Sequence, residues 1–134
     1  RGAASAAAIA AAHRLARAHA RPLVLAHAGE PRHADLLDEL DPRWAAAREL
    51  FRGGVEREFA AWAEAKGLGS LRRVLEFGAP PETLARIAAQ EQAAVIVVGS
   101  RRLSTAERIF TTSTASALAG LCTCPVAVVP PRER

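Results

Sequence analysis

The sequence predicts an α/β protein organised on a parallel sheet, and three observations carry that reading. Short apolar runs at Leu23–Ala28, Leu71–Phe77, Val95–Val98 and Pro125–Val129 alternate with longer segments of helical character. Strands joined by helices imply right-handed crossovers and hence parallel pairing. Val95-Ile96-Val97-Val98 places four β-branched residues in succession without polar alternation, the pattern of a central strand covered on both faces. Gly99-Ser100 then closes that run, and in open α/β sheets the ligand crevice opens beyond the carboxyl ends of the strands.

Each element has its own warrant. Ser5 to Ala20 is alanine-dense, with Ile9 and Leu15 as its large apolar groups, and reads as a helix that can lie close on a sheet until Pro22 ends it. Leu23–Ala28 is a buried strand closed by Gly29, followed by a polar loop to Leu40. Asp41-Pro42 reads as an N-cap with proline at the first helical position. From there Trp44, Ala47, Phe51, Val55, Phe59 and Trp62 recur at steps of three and four, forming one stripe of a long helix that stops at Lys66-Gly67. Gly53-Gly54 interrupts the stripe, and at about 1 kcal/mol per glycine the pair is expected to kink or split the helix.

Leu71–Phe77 is a strand whose Arg72 and Arg73 suit an edge position. Gly78-Ala79-Pro80-Pro81 turns the chain into a helix with Leu84, Ile87 and Ala88 facing inward. Thr112-Ser113-Thr114 caps a helix from Ala115 to Leu121, and the prolines at 125 and 130 fence the last strand.

The 134 residues, half of them hydrophobic, amount to one domain, 1–134, with a core of its own. The formal charge of +4 comes from 18 basic residues, all but one arginine, scattered along the chain. That pattern, with aromatics at 4%, argues against a nucleic-acid surface. The alanine-rich opening is too short and too weakly apolar to cross a bilayer, and it continues as a helix into the domain, unlike a signal peptide; a cytoplasmic protein is expected. Cys122 and Cys124 are expected to be reduced, small core residues. The four histidines lack carboxylate or cysteine partners at useful spacing, so no metal is expected, and His27 is read as structural. No nucleophile–base constellation is legible, so no catalytic residue is assigned and no enzyme is expected.

Val95 to Arg101, the hydroxyl run at 112–114 and Cys124-Pro125-Val126-Ala127-Val128-Val129, in that order, resemble the C-terminal half of the universal stress protein family. Gly78-Ala79-Pro80 with Glu82-Thr83-Leu84 resembles that family's turn into its third helix, and Leu23–Ala28 its second strand. The resemblance implies a Rossmann-like open sheet of five parallel strands in the order 3-2-1-4-5, with helices on both faces. The first strand is missing from the sequence. Since that strand would lie in the middle of the sheet, and there is no methionine to start the chain, upstream residues are expected.

The resemblance also implies a site. Nucleotide-binding members carry a glycine, two residues, a glycine, nine residues, then a glycine followed by serine or threonine; glycines let backbone amides approach phosphates and the hydroxyl and helix start receive them. Position by position these fall on Gly99, Arg102, Thr112 and Ser113, with Thr114 beside them. Two glycines are replaced. Arg102 offers a guanidinium to a phosphate or fills its space, and Ser113 and Thr114 serve as phosphate ligands or as plain helix caps. The resulting expectation is a binding or regulatory module in stress adaptation with a degenerate loop for ATP or another adenine nucleotide. It is expected to dimerise through the last strand, Val126–Val129, and to take a small phosphate-bearing ligand. A slow ATP hydrolase or fully ATP-binding member, and a basic nucleic-acid-associated protein, are the alternatives.

Overall fold

A computed structural model describes residues 2–29, 43, 45–99 and 115–130. Along the chain these form α1 (Gly2–Ala18), β1 (Val24–Gly29), α2 (Ala45–Ala65), β2 (Arg72–Phe77), α3 (Pro80–Gln90), β3 (Ile96–Gly99), α4 (115–121) and β4 (Val126–Val129). The result is an α/β fold in which every described strand pairing is parallel. β1 pairs with β2 from Val24↔Arg72 to Gly29↔Phe77, and β3 pairs with β4 from Ile96↔Val126 to Gly99↔Val129. The chain divides into two compact units, one of residues 24–83 and the other of 1–23 with 84–134, the boundary falling within α3.

In the unit of residues 24–83, β1 and β2 share one ladder, and the Gly78 amide extends it by donating to the Gly29 carbonyl at 3.0 Å. Ala63, Leu68 and Thr83 are buried. Helix α2 runs without a break from Ala45 to Ala65, through Gly53 and Gly54. The split expected there is therefore corrected. Glycine propensity is a local cost, and the α2 stripe outweighs it by packing: Phe51 lies 6.3 Å from the Phe77 ring, Phe59 lies 5.6 Å from His27, and Phe59 stacks on Trp62 at 6.4 Å. The half-buried part of the stripe starts at Phe51, since Ala47 is exposed; Asp41, Pro42 and Trp44 lie outside the described residues.

In the other unit, α1 packs on β3 and β4. Its small side chains permit a close approach, with Ala7 and Ala8 buried; Ile87 of α3 and Leu118 of α4 complete the buried set. Ile96, Val97 and Val98 are half-buried rather than covered on both faces. The reason is that β4 is the strand partner of β3 among the described residues, which leaves the other edge of β3 without a ladder there.

The ends of α1, α2 and α3 follow one scheme. At the end of α1 the Arg21 amide donates to the Ala16 carbonyl at 2.9 Å and the Ala20 amide to Arg17 at 3.3 Å, with Ala20 left-handed at φ 52°. The helix thus closes at Ala18, before the expected Ala20. The same pair of bonds ends α2, Leu68 to Ala63 at 2.8 Å and Gly67 to Glu64 at 3.0 Å around Gly67 at φ 73°. It ends α3 as well, Ala93 to Ala88 at 2.9 Å and Gln92 to Ala89 at 3.2 Å around Gln92 at φ 53°. These are Schellman closures, which satisfy carbonyls that would otherwise be left open. At its start α3 loses nothing to its two prolines, because the first helical bond is the Thr83 amide to the Ala79 carbonyl at 2.9 Å.

Candidate functional site

The sequence places its candidate site beyond β3. Gly99 is the last residue of that strand, exposed and aligned with Val129 at the parallel carboxyl ends. Arg102, Thr112, Ser113 and Thr114 lie outside the described residues, as does Val126–Val129's continuation past Pro130. The described chain resumes at Ala115 in α4, where Leu118 is 1% exposed. Both ends of the candidate loop are thereby anchored, Gly99 by the β3–β4 ladder and α4 by the burial of Leu118.

The carboxyl ends of β1 and β2 form a separate, tightly built corner in the unit of residues 24–83. A side chain at Gly29 would begin 2.7 Å from the Phe77 ring, so glycine lets the ring lie directly on the β1 backbone. Gly78, at φ 155°, holds the buried Thr83 in the same way: an added Cβ would stand 2.5 Å from Thr83 Oγ1. Above Phe77 the Arg52 guanidinium lies 4.8 Å from the ring centroid, a cation–π contact. His27 packs its ring on Phe59, as a histidine with a structural role would. Gly29 was legible as the end of its strand and Gly78 with Thr83 as part of the turn into α3, whereas Arg52 was not singled out from the sequence.

Among the described residues no group of three or more His, Cys, Asp or Glu side chains is placed to hold a metal ion. No helix among them is long and apolar enough to cross a membrane.

Parallel strands joined by helices define an α/β fold. The family model for universal stress proteins matches residues 1–130, and the chain belongs to the universal stress protein family. Among solved structures it is similar to the universal stress protein UspA from Lactobacillus plantarum, at 22% identity over 94% of this chain and 89% of that one, with a TM-score of 0.60. A universal stress protein in complex with cAMP is similar at 24% identity over 93% of this chain and 88% of that one, with a TM-score of 0.55. The hypothetical protein MJ0577, the subject of a structure-based assignment of biochemical function, is 16% identical over 92% of this chain and 90% of that one, with a TM-score of 0.62. No curated protein sequence matches the chain.

Proposed function

We propose that the chain is a single-domain binding and regulatory module of stress adaptation that takes an adenine nucleotide beyond the carboxyl end of β3 and performs no catalysis of its own. The observation that carries this reading is family membership over 1–130 together with the likeness to a universal stress protein solved with cAMP. The β1–β2 and β3–β4 pairings are those that the order 3-2-1-4-5 requires of its outer pairs, which supports that strand order. Gly99, Arg102, Thr112, Ser113 and Thr114 are the proposed nucleotide contacts. Val128, 49% exposed on β4, supports a homodimer through Val126–Val129. The proposed location is the cytoplasm.

Within this reading Arg102 and Thr112 set the affinity. The test is calorimetric titration with ATP and with cAMP of the wild-type protein and of an Arg102→Gly/Thr112→Gly variant. Tighter binding by the variant is expected, because glycine lets backbone amides approach a phosphate that the arginine and threonine side chains obstruct. Weaker binding by the variant would make Arg102 a ligand instead, and silence of both proteins toward both nucleotides would remove the nucleotide reading.

A further inference from the structure

The amino ends of β3 and β4 carry a feature that the nucleotide reading does not use. Cys122 follows the last helical residue of α4, its amide donating to the Leu118 carbonyl at 3.0 Å, and the chain then bends through 123 and 124 into β4. Both cysteines are free and half-buried. Both line one cavity of about 320 Å³, whose wall on the α3 side is built from Ala85, Ala88 and Ala89, with Leu121 alongside. One residue, Thr123, separates the two cysteines along the chain. Among the described residues the cavity lining carries no charged side chain.

We propose that Cys122 and Cys124 form a two-coordinate site for a soft monovalent cation of the copper(I) class. The donor set selects the ion. Two thiols are soft ligands, which favours copper(I) over the hard, oxygen-seeking cations. Structural zinc takes four ligands, and no cluster of even three exists among the described residues. A d10 monovalent ion is satisfied by two sulfurs in line. Binding forms two copper–sulfur bonds, breaks two S–H bonds and releases two protons; copper stays in the +1 state, and the neutral thiol pair becomes a complex of charge −1. Because the thiolate and not the thiol is the metal ligand, loading the site releases protons.

The site is distinct from the nucleotide loop. Gln92 and Ala93 of the lining precede β3 and Cys124 precedes β4, whereas Gly99 ends β3. A four-residue strand separates the two ends by about 13 Å, so failure of either reading leaves the other standing.

The test uses the full chain, fully reduced and oxygen-free, titrated with copper(I) in competition with a chromogenic copper(I) chelator. One ion retained per chain, with release of two protons, is expected. Cys122→Ser and Cys124→Ser should each abolish retention while unfolding at the wild-type temperature. Cys122→Ala serves as the second probe should the serine destabilise the half-buried position. Retention by the Cys122→Ser/Cys124→Ser double variant would overturn the proposal, as would zinc held as strongly as copper(I), or a stoichiometry of one ion per two chains.

Discussion

Ala20 and Gly67 occupy the same place in two identical helix closures, and exchanging their residue types should move stability in opposite directions. A left-handed residue bearing a Cβ costs roughly 1–2 kcal/mol, and Ala20 carries that cost at φ 52°. Glycine removes it but has more freedom to lose on folding, roughly 0.4–1 kcal/mol. Ala20→Gly should therefore stabilise the protein by about 0.5–1 kcal/mol. Gly67, at φ 73°, has no atom within 4 Å of where a Cβ would stand, so Gly67→Ala tests the backbone term without a steric one and should destabilise by about the same amount. For a domain of this size the shifts correspond to about 2–4 °C in Tm. Urea unfolding of both variants, with the slope checked against wild type, reads them directly. A lower midpoint for Ala20→Gly, or an unchanged one for Gly67→Ala, would refute the assignment of the left-handed conformation as the controlling term.

Three further outcomes are expected. Gly54→Ala should stabilise the unbroken α2 by about 0.5–1 kcal/mol in urea unfolding, because its site is open and alanine is the better helix former. Gly29→Ala should destabilise by about 1–3 kcal/mol, since the new methyl meets the Phe77 ring at 2.7 Å and the ring, held between Arg52 and Phe51, must shift; an unchanged urea midpoint would show that the ring moves freely. Leu118→Ala should cost about 2–5 kcal/mol as a truncation of a fully buried side chain, and near-wild-type thermal stability would contradict the anchoring of α4.

Periodicity and punctuation made most elements legible. The β-branched run before Gly99 forms a strand as read, and the proline pair after Gly78 opens α3 where the missing amides cost nothing. Gly53-Gly54 does not split α2, because propensity weighs a residue against its neighbours in sequence, whereas Phe51 and Phe59 are held by rings on β1 and β2. Ala20 and Gln92 were invisible as helix terminators because a left-handed alanine or glutamine has no sequence signature. Of the candidate site, Gly99 ends β3, and Arg102, Thr112, Ser113 and Thr114 lie outside the described residues. Cys122 and Cys124 read as small core residues, and they are instead half-buried along a cavity whose other wall α3 supplies.

The hydrogen bond from the Arg21 guanidinium to the Gln92 carbonyl, 3.3 Å long, joins the residue after the left-handed turn of α1 to the left-handed residue of α3. Because its acceptor is main chain, the contact is indifferent to the side chain at 92 but demands a long donor at 21. Sequence drift is thus asymmetric across one bond: position 92 is free to explore any residue that tolerates positive φ, and glycine most of all, while position 21 is confined to side chains able to reach across and donate.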